Sequence, residues 1–138
     1  MTDQPKLPLL RLLAPTDWKD YELIDSGNRE ALERLGPFTL VRPEPQAIWS
    51  RSLPDPVWKS ADAVMVSTGG ESGGSWTFNR VIKQPWVIDY KGLKCEIRLA
   101  KSRHIGVFPE QATHWDWIEE QIKAADRQLK VINLFGYT

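Results

Sequence analysis

The sequence predicts an α+β protein, with a β-rich amino-terminal domain containing hairpins followed by the first helix and strand of an α/β domain. Three observations lead to this fold class. Short segments rich in β-formers alternate with turn signals through about residue 100. An apolar stripe at helical spacing follows, and a short, wholly apolar run comes next. The length of 138 residues suits one domain or two small ones.

Composition excludes several classes of protein. The 18 basic and 18 acidic side chains cancel, which argues against nucleic-acid binding driven by net charge but leaves room for a local basic patch. The single cysteine, Cys95, excludes an internal disulfide framework and favours a reduced, cytoplasmic setting. The apolar stretch 7–14 is interrupted by Pro8 and Arg11 and is too short to cross a bilayer, so no membrane partner is expected.

The amino-terminal elements follow in order. The first 20 residues, rich in proline and leucine, predict an extended arm, and residues 21–25 predict a strand that ends in the turn Ser26-Gly27-Asn28. Residues 29–36 fit either a two-turn helix capped by Asn28 or the return strand of a hairpin, and we favour the hairpin because so short a helix is marginal alone. Residues 37–42 predict another strand.

The middle of the chain is punctuated by proline and glycine. Residues 43–60 predict a loop, and residues 63–67 predict a short buried strand. The glycine-rich segment 69–74 lacks the Gly-Lys-Ser/Thr ending and following helix of a phosphate-binding loop, so it predicts a flexible connection. Ser75-Trp76 then leads into a predicted strand.

Residues 86–99 predict a hairpin around a two-residue turn, Lys91-Gly92. This register pairs Tyr90 with Leu93, Ile88 with Cys95 and Trp86 with Ile97 on one face, and Asp89 with Lys94 on the other. It places Cys95 on the core side, where its thiol packs and does not act as a nucleophile.

A long helix and a last strand complete the pattern. Pro109 suits the first position of a helix of about five turns, whose stripe recurs at Trp115, Ile118, Ile122, Ala125 and Leu129. The apolar run 131–135 predicts a strand buried on both faces and is followed by a glycine, which is how a doubly wound nucleotide-binding fold opens. We therefore expect that this sequence stops inside such a fold.

Two stretches resemble a known family. His104-Ile105-Gly106-Val107-Phe108-Pro109-Glu110-Gln111 with Trp115, and Val131-Ile132-Asn133-Leu134-Phe135-Gly136-Tyr137-Thr138, are similar to segments of the class I S-adenosylmethionine-dependent methyltransferases related to the large-subunit rRNA cytosine methyltransferases. Asp25-Ser26-Gly27, Leu32-Glu33-Arg34, Gly36-Pro37 and Arg42-Pro43-Glu44-Pro45-Gln46-Ala47 with Trp49 resemble the family's amino-terminal domain. The resemblance covers about residues 20–138.

The resemblance implies a division at residue 104. Residues 1–104 correspond to a β-rich domain on the substrate side, and residues 105–138 to the start of a Rossmann-like domain that binds S-adenosylmethionine in the intact protein. It implies that the cofactor's methionine end lies against Phe108, Pro109, Glu110 and Gln111. It also implies that a strand and turn lie beneath the cofactor and contribute Asn133, Phe135, Gly136, Tyr137 and Thr138. The family's motif continues after the threonine, so the resemblance implies a missing carboxy-terminal methyltransferase region and transfers no catalytic residue to this chain.

A local excess of basic residues lies in 80–104. Lys94, Arg98 and Arg103 are candidate contacts for RNA phosphates, although the same pattern also fits an ordinary charged surface. His104 and His114 have no cysteine or carboxylate partner at ligand spacing, so no metal site is expected.

Two functions remain open at this point. The first is the amino-terminal part of a methyltransferase that moves a methyl group from S-adenosylmethionine to an rRNA base, with the chain alone inactive. The alternative is a non-enzymatic β-rich module that binds RNA or protein. The segment 131–138 favours the first, because a binding module does not need it.

Overall fold

The computed structural model describes residues 12–67 and 73–134 of the chain. Within them, the strands are Tyr21–Gly27 (β1), Glu30–Leu35 (β2), Phe38–Pro43 (β3), Ala63–Ser67 (β4), Gly74–Phe78 (β5), Trp86–Tyr90 (β6) and Leu93–Ile97 (β7). The helices are Asp55–Lys59 (α1) and Ala112–Ala124 (α2), and the 3-10 turn Pro109–Gln111 leads into α2. The predicted α+β fold class is confirmed.

The larger sheet has five strands in the order β1-β2-β3-β4-β5. All its neighbours are antiparallel except β3 and β4, which run parallel. The β1–β2 turn places Asn28 and Arg29 at positive φ angles, 52° and 67°, as a tight two-residue hairpin turn requires. The interpretation of residues 29–36 as the return strand of a hairpin is therefore confirmed.

The smaller sheet is the β6–β7 hairpin, and its register is the predicted one. Trp86 pairs with Ile97, Ile88 with Cys95 and Asp89 with Lys94. Lys91 and Gly92 both adopt positive φ angles, 49° and 92°. The Lys94 Nζ lies 2.7 Å from an Asp89 carboxylate oxygen, as the cross-strand charge match indicated.

One hydrophobic cluster joins the two sheets to the segment before α2. Leu35 and Leu40 of the larger sheet pack in it with Ile88 and Ile97 of the hairpin and with Ile105, all of them almost completely buried. Cys95 packs against this cluster, as predicted. Because Ile97 and Ile105 share it, residues on both sides of the predicted boundary at 104 lie in one cluster. The boundary itself stays a prediction.

The opposite face of the larger sheet packs on α1. Leu32 and Val41 contact Trp58 and Ala61 in a second, smaller cluster. The prediction of an unbroken loop over 43–60 was wrong at this point, because Pro56 and the acidic Asp55 start a short helix and burial of Trp58 stabilises it. The glycine-rich segment predicted as a flexible loop lies largely in residues 68–72, outside the described ranges.

Helix α2 is shorter and more exposed than the sequence predicted. It ends at Ala124, since Ala125 is extended with ψ 114°, so Leu129 is not helical. Trp115 packs on the main cluster, but Ile118 and Ile122 are 40% and 47% exposed. The prediction of a five-turn helix with a buried stripe was wrong, because periodicity shows which side of a helix is apolar and not whether anything covers that side.

The predicted strand over 131–135 is not present in its described part. Residues 131–134 form no strand, and Val131, Ile132 and Leu134 are exposed. A strand needs a neighbouring strand for its backbone hydrogen bonds, and no described strand pairs with these residues. Phe135 to Thr138 lie outside the described residues, as do residues 1–11 of the predicted arm. Neither described helix is long and apolar enough to cross a bilayer.

Candidate functional site

An open cleft of about 450 Å³ lies between the larger sheet and the segment before α2. Strands β1 to β3 and the loop after β3 form one side, and residues 103–110 form the other. Phe108, Pro109 and Glu110, three of the predicted cofactor residues, line this cleft together with Arg103, a predicted RNA contact. The volume falls in the range of sites for small molecules.

A buried ion pair forms part of the cleft wall. Glu33 on β2 and Arg42 on β3 meet with 2.6 Å between Arg42 Nη2 and Glu33 Oε2, and their side chains are 5% and 18% exposed. Arg42 Nε also donates to the same carboxylate oxygen at 2.6 Å. Tyr21 on β1 donates its hydroxyl proton to the other carboxylate oxygen of Glu33, at 2.9 Å. Both oxygens of the buried carboxylate therefore have a partner.

The ion pair also connects the two sides of the cleft. Arg42 Nη1 donates to the backbone carbonyl of Arg103 at 2.6 Å, across 61 residues of sequence. Burial and the adjacent Glu33 carboxylate raise the pKa of Tyr21 far above its usual value. Tyr21 is therefore neutral at physiological pH and acts as a hydrogen-bond donor to Glu33.

The rim of the cleft carries Trp49 in a fixed position. Its indole N–H donates to the Ser26 carbonyl at 2.9 Å, and its own carbonyl accepts from the Asn28 N–H at 2.7 Å. The next loop is held in turn by Asp25, whose carboxylate accepts from the backbone N–H groups of Ser52 and Leu53 and from the Trp58 indole. The Trp49 ring remains 55% exposed although its edge is anchored.

Backbone contacts fix the segment that carries Phe108. Trp18 donates its indole N–H to the Pro109 carbonyl at 3.1 Å, and the Gln111 N–H bonds to the Phe108 carbonyl at 3.0 Å. Gly106 has φ 99°, and a Cβ there would lie 2.8 Å from the Glu96 carbonyl oxygen, so glycine permits the close approach to β7. The Phe108 ring lies 5.6 Å from the His104 ring, between centroids.

The other predicted cofactor residues are placed differently. Gln111 is outside the cleft lining, and its Oε1 lies 2.9 Å from His114 Nδ1. Asn133 is exposed in the irregular segment 131–134 and does not line the cleft. Phe135, Gly136, Tyr137 and Thr138 lie outside the described residues. The structure thus brings together three of the nine.

Two of the three predicted RNA contacts already face a carboxylate. Lys94 is paired with Asp89, and Arg98 Nε lies 2.6 Å from a Glu96 oxygen. The hydrogen bond to Asp89 raises the pKa of Lys94. Lys94 is on the exposed face of β7 and Arg98 is exposed directly after that strand, whereas Arg103 is half-buried at the cleft. The three side chains therefore do not form one basic patch.

A second cavity, of about 530 Å³, surrounds the turn of the β6–β7 hairpin. Lys91 Nζ lies 2.9 Å from carboxylate oxygens of both Asp17 and Asp116, and the Tyr90 hydroxyl donates to Asp116 at 2.7 Å. Hydrogen bonds to Asp17 and Asp116 raise the pKa of Lys91. Ion pairs and a hydrogen bond among these side chains join the hairpin to Asp17 and to α2.

Glu33, Arg42 and Trp49 lie in the stretches that resemble the family's amino-terminal domain, but no individual role was predicted for them. Glu33 lies on β2 at an inward position between Ala31 and Leu35, where a charged side chain is unusual. A charged residue at an inward-facing position of a predicted strand was the signal in the sequence that could have indicated a role for Glu33. The contact between Arg42 and the 103–110 segment had no local signal, because it joins distant parts of the chain.

A protein of known structure is similar to this chain over almost the whole length of the chain. The chain is similar to the solved structure of a SAM-dependent methyltransferase from Agrobacterium tumefaciens, with 40% sequence identity and a TM-score of 0.83. The match covers 99% of this chain and 44% of that one, so the chain spans less than half of this relative's length. No protein-family model matches the chain, and no curated protein is a significant match. The chain is therefore similar to part of a SAM-dependent methyltransferase.

Proposed function

We propose that this chain is the amino-terminal part of an S-adenosylmethionine-dependent methyltransferase that acts on an rRNA base in the cytoplasm. The observation that carries the proposal is the 40% identity to a SAM-dependent methyltransferase over 99% of the chain. The position of Phe108, Pro109 and Glu110 on one cleft adds to it, because a cofactor bound there reaches the same space as residues of the β-rich domain.

The residues of the cleft suit the cofactor's methionine end. S-adenosylmethionine supplies an electrophilic methyl group on a positively charged sulfonium sulfur. In the proposal, the aromatic face of Phe108 attracts that positive charge, as aromatic rings attract cationic ligands. The Glu110 carboxylate attracts the cofactor's ammonium group. Neither residue transfers a proton in this scheme, and no catalytic residue is assigned in this chain.

The segment is rigid enough for this role. The bond from Trp18 to the Pro109 carbonyl and the close approach of Gly106 to Glu96 fix the position of the backbone that carries Phe108. A site held in its binding geometry loses less conformational entropy when the ligand binds. The proposal also places Gln111, Asn133, Phe135, Gly136, Tyr137 and Thr138 against the cofactor. For Asn133 this requires residues 131–134 to order as a strand in the complete methyltransferase.

The proposed RNA contacts lie on the hairpin side. Lys94, Arg98 and Arg103 bind phosphates in this scheme, and the target base leaves its stack to reach the methyl group. Because Asp89 already pairs with Lys94 and Glu96 with Arg98, a phosphate contact made by either of these two cations replaces an existing ion pair. The net gain per contact is therefore smaller than for an unpaired lysine or arginine.

Methyl transfer to RNA tests the proposal. The product of the complete gene is incubated with S-adenosyl-[methyl-³H]methionine and large-subunit rRNA from a strain that lacks the gene. We expect label in that RNA and not in rRNA from the parent strain, whose site is already methylated. Phe108→Ala should lower kcat/KM about tenfold or more, whereas Phe78→Ala, on exposed β5, should leave it unchanged. Absence of label in every RNA tested contradicts the proposal.

A further inference from the structure

The cleft combines aromatic, apolar and carboxylate groups. Trp49 and Phe108 come from its two opposite sides, and Leu23 and Val107 add apolar surface. Glu44 and Gln46 contribute polar atoms from the loop after β3. A flat aromatic ligand with polar edges matches this combination, because bases stack on aromatic side chains and bond through their edges.

Charge narrows the class of ligand further. The positive charge of Arg42 is neutralised by Glu33. Of the other charged groups in the lining, the carboxylates Glu44 and Glu110 outnumber the single guanidinium of Arg103, so the lining carries an excess of negative charge. A phosphate group is repelled by carboxylates, whereas an exocyclic amine donates hydrogen bonds to them. The interior of the cleft therefore favours an uncharged base with an exocyclic amine. A base that has a carbonyl oxygen in place of that amine is disfavoured.

The groups that make these contacts are already oriented. The Trp49 indole is held by the Ser26 carbonyl, and the Glu44 carboxylate accepts from the Gln46 backbone N–H at 3.3 Å. Arg42 is fixed by Glu33 and by the Arg103 carbonyl. These bonds fix the orientation of the side chains, which lowers the conformational entropy lost on binding.

We propose that this cleft binds an unstacked, amine-bearing nucleobase of the substrate, with Trp49 as the stacking surface and Glu44 as the acceptor for the exocyclic amine. Its identity as the substrate's base rests on the function proposed above. The base enters beside Phe108, from the side formed by β1 to β3. An adenine ring of the cofactor carries the same amine, so the test must separate the two sources.

The test uses the 138-residue chain and nucleosides, independently of methyl transfer. Cytidine, adenosine and uridine are titrated separately while the tryptophan indole N–H signals are followed by NMR, with the Trp49 signal identified by its loss in Trp49→Leu. We expect cytidine and adenosine to shift this signal saturably and uridine to bind at least about fivefold more weakly, because it lacks the amine. Trp49→Leu should weaken cytidine binding about tenfold. The matched control, Trp117→Leu, removes a ring of similar exposure, 58% against 55%, outside the cleft and should change nothing.

A second pair of variants tests the amine contact. Glu44→Gln should reduce the preference for cytidine over uridine to near one, whereas Glu22→Gln, exposed on β1 and outside the cleft, should preserve it. Equal binding of uridine and cytidine to the unmodified chain overturns the proposal, as does unchanged cytidine binding in Trp49→Leu. Displacement of cytidine by S-adenosylhomocysteine at concentrations at least about tenfold below those at which adenosine displaces it assigns the cleft to the whole cofactor and also overturns the proposal. If no methyl transfer is found but the chain still binds cytidine selectively, the proposed function is rejected and the base site is retained.

Discussion

The ion pair between Glu33 and Arg42 is expected to make a large contribution to the stability of the cleft wall. Arg42→Leu removes the guanidinium and leaves the Glu33 carboxylate buried with only the Tyr21 hydroxyl as partner. Removing one partner of a buried pair typically costs about 3–5 kcal/mol, because the remaining charge has lost its solvation. We expect a loss of that size in the free energy of unfolding, measured by urea denaturation. The carbonyl of Arg103 loses its donor in the same variant.

Another cross-strand arginine supplies a matched control. Arg34 on β2 pairs with Glu22 on β1 at 3.3 Å, with side-chain exposures of 32% and 59%. An exposed pair contributes little, but Arg34 also donates to the carbonyls of Lys19 at 3.0 Å and Gly36 at 3.3 Å, so Arg34→Leu should cost about 1–2 kcal/mol, less than Arg42→Leu. The double variant Glu33→Leu with Arg42→Leu should be more stable than Arg42→Leu alone, because it leaves no buried charge. Equal urea midpoints for Arg42→Leu and Arg34→Leu would refute the assignment of a buried pair.

Further predictions concern packing, acid stability and the cofactor. Ile105 is 1% exposed, and Ile105→Ala should lower the free energy of unfolding by about 2–4 kcal/mol. Ile122 is 47% exposed, and Ile122→Ala should lower it by less than about 1 kcal/mol. Equal urea midpoints for the two variants would show that the apolar side of α2 is covered in solution. Burial opposes the charge of Asp25, but hydrogen bonds from Leu53, Trp58, Ser52 and Ser26 outweigh it and lower its pKa. The Asp25 contribution to stability should therefore be complete above pH about 4, the usual carboxyl range, and decline as pH falls through the lowered pKa. Asp25→Asn should accordingly destabilise the chain at pH 7 and lose that effect in strong acid, and a difference independent of pH in urea melts contradicts this. Calorimetry of the 138-residue chain with millimolar S-adenosylmethionine should show no saturable heat, because residues 131–134 form no wall for the ligand; micromolar binding would mean that the cleft already forms a complete site.

Local signals predicted the strands well. The Lys91-Gly92 turn fixed the register of β6 and β7, since a two-residue turn at this position pairs Tyr90 with Leu93 and so determines every later pair. The hairpin around Asn28 followed from the same kind of signal. Pro109 was predicted as the first residue of the long helix; it opens the 3-10 turn Pro109–Gln111, and α2 itself begins at Ala112.

Long-range proximity could not be predicted from local patterns. The apolar spacing through Ile122 and Leu129 shows one apolar side, but the helix ends at Ala124 and that side is exposed. Arg42 meets the carbonyl of Arg103 only because the fold brings β3 to the segment after β7. Resemblance identified the segment around Phe108, and the structure then showed which side chains of the β-rich region share its cleft.

Photolabelling tests the central claim, contact between S-adenosylmethionine and the segment before α2. The product of the complete gene is irradiated with S-adenosyl-[methyl-³H]methionine, digested with trypsin, and the labelled peptides are identified by mass spectrometry. Cleavage after Arg103 and after Lys123 isolates the peptide His104–Lys123, which contains Phe108 to Gln111. We predict label in this peptide and its suppression by excess S-adenosylhomocysteine. Suppressible label that is confined to peptides outside residues 104–138 would contradict the account.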